Sequence, residues 1–123
     1  MKNLRTKHNL GRFIILCVAP FALAALSSAS TPTTSVNIVN DSNREIRNVY
    51  LSHVNADDWG TNQLGDTTIL SSQSFALNNV ACDQQQIRVI GEDADGCFLS
   101  TVVNCGDNST WTITNNTTRD CGN

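Results

Sequence analysis

From Val36 onward, apolar residues recur every second position in short runs separated by clusters of Asn, Asp, Ser and Gly. That period of two is the signature of strands with one face buried. Val36-Asn37-Ile38-Val39-Asn40 reads as a first strand, and Asp41-Ser42-Asn43 as a turn. Ile46 to Ser52 reads as a second strand, with Val49 and Leu51 on one face. These two segments predict an opening hairpin. Thr67 to Leu70 predicts a short third strand, and Phe75 and Leu77 alternate with polar neighbours in a fourth.

Gln86 to Gly91, carrying Ile87, Val89 and Ile90, predicts the clearest of the later strands. Glu92-Asp93-Ala94-Asp95-Gly96 follows as a turn, because Asp-Gly supplies the positive φ angles of a tight hairpin. Cys97 to Val103 returns, Gly106 to Ser109 turns again, and Thr110 to Thr114 sets Trp111 and Ile113 between threonines. Seven short strands without helical periodicity predict an all-β fold, a single antiparallel β-sandwich, with a small β-barrel as the second choice.

The pattern ahead of Val36 is different. Lys2, Arg5, Lys7 and Arg12 precede an apolar run from Phe13 to Leu26, and small residues Ser27 to Ser30 follow. Basic, apolar and small in that order describe a secretory signal peptide, with cleavage expected between Ala29 and Ser30. The apolar run is short for a membrane anchor of roughly 20 residues. Leu16 ahead of Cys17 stands where a lipoprotein signal wants a small residue. The chain thus divides into a leader, 1–29, and one β domain, 30–123, of secreted or periplasmic destination.

Removing the leader changes the charge. The mature chain keeps four arginines, no lysine and all eleven carboxylates, a formal charge of −7. That excludes a basic nucleic-acid footprint and disfavours anionic lipid. Cys82, Cys97, Cys105 and Cys121 remain, at spacings of 15, 8 and 16. An even number in a small exported domain predicts two disulfides, and no close C-x2-C pair suggests zinc. Three pairings are open. Cys82 and Cys105 lie equally far out from the turn at Asp93 and Ala94, which favours Cys82–Cys105 with Cys97–Cys121.

The longest stretch without periodicity is His53 to Asp66. It holds Trp59, Gly60, Leu64 and Gly65 as a candidate binding loop, and Asp57, Asp58 and Asp66 as candidate ligands of a calcium ion, which takes 6–8 hard oxygens. The plainer reading has Trp59 and Leu64 plugging one end of the sandwich while the glycines allow tight turns. We prefer the plug. Glu92 to Gly96 matches only the start of a calcium loop and is better read as a turn with exposed acids. His53, the one histidine of the mature chain, lacks any G-x-S-x-G, H-E-x-x-H or phosphate-loop context, so no catalytic residue is assigned. Three glycosylation sequons, beginning at Asn108, Asn115 and Asn116, are within chance for a chain this rich in Asn, Ser and Thr.

Several short motifs together resemble a recurrent group of small exported bacterial β-proteins with no assigned activity. They are Val36 to Asn40, Val49-Tyr50-Leu51-Ser52, Trp59-Gly60-Thr61-Asn62-Gln63-Leu64-Gly65, Ser74, Cys82-Asp83, Ile87-Arg88-Val89 and Glu92 to Gly96. Asn62 departs from an acidic position of that pattern, which removes a charge from any cation site in the loop. Gln73 replaces a turn glycine. The resemblance implies no cofactor and no substrate. The function it leaves is a binding module for an unknown protein or small molecule. A small hydrolase using His53, or an inhibitor projecting Glu92 to Gly96, are the alternatives.

Overall fold

A computed structural model describes residues 32–122. The leader 1–29 and its cleavage point lie outside these residues. Six strands form: β1 (Thr33–Asp41), β2 (Ile46–Ser52), β3 (Ser74–Ala81), β4 (Gln86–Asp93), β5 (Phe98–Asn104) and β6 (Asn108–Thr114). They make two three-stranded sheets, β3-β1-β6 and β2-β4-β5. The fold is an all-β sandwich, and no barrel closes. Among the described residues, no helix is long and apolar enough to cross a membrane.

The alternation read from the sequence puts the core between the sheets. Val36 and Ile38 of β1, Trp111 and Ile113 of β6 and Leu77 and Val80 of β3 face Val49 of β2, Ile87 and Val89 of β4 and Leu99 and Val103 of β5, all within one buried cluster. Gly91 of β4 leaves room for a large neighbour. A Cβ there would already touch Trp111 Cη2 at 3.6 Å and Ile46 Cγ2 at 3.6 Å, so the Trp111 ring lies against the β4 backbone.

Three expectations are corrected. The predicted strand Thr67–Leu70 contributes a single bridge, Ile46 with Ile69, whose two N–H groups each donate to the other's carbonyl at 2.9 Å. Thr67, Thr68 and Leu70 around it are exposed, so one inward isoleucine is all this segment offers a ladder. The pairing is also not wholly antiparallel, because β6 runs parallel to β1, with Ile38 opposite Trp111. Nor do β1 and β2 form a hairpin, since they belong to different sheets.

The cause of the last is Asn40. Its side chain is fully buried and its amide donates to the carbonyls of Arg44 at 2.6 Å and Ile69 at 2.9 Å. Its Oδ1 accepts from Ser42 N–H at 3.2 Å and from Ser42 Oγ at 2.6 Å. An Asx-type side chain thus substitutes for the backbone ladder and turns the chain across the sandwich.

The Glu92–Gly96 turn is a structural knot rather than a row of exposed acids. Asp93 is 1% exposed, and its Oδ1 accepts from the N–H of Asp95 at 2.9 Å and of Cys97 at 3.0 Å. Its Oδ2 meets Arg119 at 2.9 Å and Arg44 at 3.5 Å. Burial alone would push this carboxyl up, but Arg119 and the two backbone donors outweigh it and hold Asp93 below the usual carboxylate range. Asp95 and Gly96 remain exposed.

The cysteines pair as Cys82–Cys105 and Cys97–Cys121. The first joins the end of β3 to the end of β5, and so ties one sheet to the other. The second fixes the C-terminal tail beside the start of β5. There Phe98 and Asp120 exchange backbone hydrogen bonds at 2.7 and 2.8 Å.

Candidate functional site

The outer face of the β2-β4-β5 sheet carries the side chains that the core does not use. Register places Tyr50 opposite Ile90, and Ile90 opposite Ser100. Phe98 lies opposite Glu92, and Val102 opposite Arg88. On a sheet of an isolated sandwich this face would be polar and wet. Here Ile90 is nonetheless 2% exposed while standing outside the core cluster. The loop from His53 to Asp66 covers it.

Trp59 is the centre of that cover. Its ring centroid lies 5.7 Å from Tyr50 in a tilted arrangement and 4.9 Å from Phe98 in an edge-to-face one, both preferred aromatic geometries. Trp59 is therefore not in the core between the sheets. Leu64 is, at 4% exposure, so the loop sends one apolar residue inward and the other over the outside. Gly60 and Gly65 adopt φ of +64° and +60°, conformations within the loop that side chains rarely tolerate.

Asn62 holds the far arm of the loop. Its Oδ1 accepts from Val49 N–H at 2.9 Å and from Leu64 N–H at 3.1 Å, and Gln63 N–H donates to the Val49 carbonyl at 2.7 Å. The free edge of β2 is thus occupied by its own loop.

A recess of about 150 Å³ opens beside the aromatic cover, walled by Trp59, Phe98 and Ile90 and edged by Arg88, Ser100 and Asp120. Trp59 Nε1 and Arg88 Nε are buried and have no hydrogen-bond partner among the described residues. The other side of the guanidinium is engaged, with Arg88 Nη2 donating to the Ala56 carbonyl at 2.9 Å and to Asp57 at 3.1 Å.

The second concavity, about 220 Å³, lies at the near arm of the loop and includes Leu51, Ser52, His53, Asp58, Asp83 and Ile87 in its lining. His53 sits between two carboxylates, Nδ1 at 2.6 Å from Asp58 Oδ2 and Nε2 at 2.8 Å from Asp83 Oδ1. The hydrogen bond to Asp58 first, and that to Asp83 second, raise the imidazole above its usual pKa. The same contact lowers Asp58 to about 2. In its protonated form, with both nitrogens directed at carboxylates, the ring has no lone pair to act as a general base. The Ser52 hydroxyl does not point to it either. It donates to the Ala56 carbonyl at 2.6 Å and lies 3.1 Å from Asp58 Oδ1.

The three candidate calcium ligands are placed apart in function. Asp57 is paired with Arg88, Asp58 with His53, and the Asp66 side chain has no hydrogen-bond or ionic partner among the described residues. A cation at this loop would have to displace Arg88 and His53 from their carboxylates. No group of three His, Cys, Asp or Glu side chains among the described residues is arranged to hold a metal ion. Sequence reasoning brought forward Trp59, Gly60, Leu64 and Gly65 but passed over Tyr50, Arg88, Phe98 and Asp120. Ile90 directly after Val89, which breaks the alternation of β4, was the available sign that the second face is also covered.

Comparison with known proteins adds a distant fold neighbour. An NMR structure of a protein from Eubacterium rectale is similar with a TM-score of 0.46 at 15% identity, over 75% of this chain and 88% of that one. No family model and no curated protein sequence matches.

Proposed function

We propose that this chain is an extracytoplasmic binding module whose ligand meets the outer face of the β2-β4-β5 sheet at Trp59. One observation carries the reading. A cluster of three aromatic rings, Tyr50, Trp59 and Phe98, is assembled outside the core, with Trp59 and Phe98 walling a recess, where it does nothing for the packing between the sheets. Aromatic side chains so placed give large contact area at low entropic cost. Two disulfides and the leader pattern support an oxidising compartment for the module.

The lining supports one ligand class over others. Apolar and aromatic walls with Arg88, Ser100 and Asp120 at the rim suit a small ring-shaped molecule with hydroxyl or carboxylate substituents. The hydrolase reading is disfavoured because His53 is closed off by two carboxylates and Ser52 by backbone carbonyls. The inhibitor reading is disfavoured because Asp93 anchors the Glu92–Gly96 turn into the body of the protein.

The test is a panel of soluble monosaccharides, uronic acids and aromatic carboxylates titrated into the oxidised, 15N-labelled protein. Chemical-shift changes centred on Tyr50, Trp59, Arg88, Ile90, Phe98 and Ser100 are expected for a subset of the panel. Changes confined to the cleft at Ser52 and His53, or none at millimolar concentration, would overturn the assignment of this face.

A further inference from the structure

We propose that His53, clamped between Asp58 and Asp83, is a proton-operated latch that holds the Trp59 loop in its binding-competent position. The inference rests on the reading of the Trp59 face as the binding site, and it concerns the regulation of that site.

The geometry requires a cation. Each ring nitrogen lies within hydrogen-bond distance of a different carboxylate, 2.6 Å at Nδ1 and 2.8 Å at Nε2. A charged imidazolium has two N–H donors and satisfies both contacts. A neutral ring has one. Deprotonation therefore breaks one hydrogen bond and turns a lone pair toward a carboxylate at contact distance. The ring is 39% exposed on its side chain, so its proton exchanges freely with solvent.

The latch is placed to act on Trp59. Asp58 is the residue directly before it, and Asp83 belongs to the connection between β3 and β4, a separate part of the fold. The bridge through His53 thus fastens the loop to the body. The remaining ties are unequal. The far arm is held by Asn62 and Gln63 on the β2 edge, bonds that no proton alters over the range in which a histidine titrates. The near arm is held to itself by Ser52 Oγ to the Ala56 carbonyl and Asp58, by Ala56 N–H to the His53 carbonyl and by His53 backbone N–H to Asp58 Oδ1, bonds that do not need the ring proton. It is held to the body by Arg88 to Ala56 and Asp57 and by the His53 ring to Asp83. The charged groups facing this arm are Asp57 and Asp58 from the loop, Asp83 from the β3–β4 connection and Arg88 from β4.

The closed loop leaves two donors, Trp59 Nε1 and Arg88 Nε, buried without acceptors. An unmet buried donor opposes closure. Closure therefore depends on its fastenings, of which the His53 clamp is the one that turns on the protonation of a histidine. With the latch protonated, Trp59 forms a wall of the recess. With the latch neutral, the near arm loosens, the wall is lost and the site weakens as pH rises.

The experiment needs no ligand. Trp59 and Trp111 give two indole N–H signals, assigned by Trp59→Phe, which are followed from pH 5 to 9 alongside the ring C–H signals of His53. The latch predicts that the Trp59 indole moves with the same midpoint as His53, above the ordinary histidine value of 6.5, while Trp111 stays still. His53→Gln should flatten the Trp59 titration. Asp83→Asn, a conservative change at an exposed carboxylate, should lower the midpoint because one of the two stabilising carboxylates is lost. A His53 that titrates while the Trp59 indole remains stationary would overturn the latch, as would a Trp59 transition that persists in His53→Gln. Either result leaves the ligand panel untouched. A panel without a ligand would remove the binding site while leaving this titration to be read for itself.

Discussion

Asn40, Asp93 and His53 are polar residues whose neighbours in sequence give no hint of what they hold. Asn40 spends its amide on a corner between sheets, Asp93 on a knot of two arginines and two backbone donors, and His53 on a bridge between two acids. The last has a consequence for stability. Because folding raises the His53 pKa, its contribution is complete below the unfolded value of about 6.5 and fades as pH climbs through the raised folded value. Asp58 supplies the opposite limb. Depressed from 3.8 to about 2, it stabilises above its ordinary range and loses that effect as pH falls toward 2. Thermal unfolding of the wild type and His53→Gln across pH 4 to 9 should show curves that converge on the alkaline side. Curves offset by a constant amount at every pH would contradict the clamp.

At the level of elements, strand faces were legible and strand partners were not. Period-two alternation located the six strands and their inward residues, because burial on one face leaves a direct trace in composition. It could not show that β6 lies parallel to β1 or that β2 leaves the first sheet, since pairing depends on side chains acting at a distance from the strands they steer. Asn40 is the clearest case. It ends the first strand predicted from the sequence, yet it is buried with its side-chain hydrogen-bonding capacity directed at Ser42, Arg44 and Ile69. Asn40→Ala should strand those groups in a dry corner and cost about 2–3 kcal/mol in denaturant unfolding. A loss under about 0.5 kcal/mol, the range of ordinary surface changes, would show that the corner is set elsewhere.

For the whole molecule, the two sheets and two disulfides form a frame on which one long loop lies. Cys82–Cys105 ties sheet to sheet, and Cys97–Cys121 brings Asp120 to the rim of the recess. The candidate site was half visible in advance. Trp59, Gly60, Leu64 and Gly65 stand out in the sequence because aperiodic segments of this length are uncommon in small domains. Its other half, on β4, β5 and the tail, comes together only through register and disulfide pairing.

The central claim is that Trp59 serves a surface and Trp111 the core, and unfolding of the two variants Trp59→Ala and Trp111→Ala tests it most directly. Trp111 is buried between the sheets, so its removal should cost about 3–5 kcal/mol. Trp59 packs only on the outer face, and its loss should cost about 1–2 kcal/mol, in the range of its aromatic contacts. Equal losses would make Trp59 a structural residue and contradict the account.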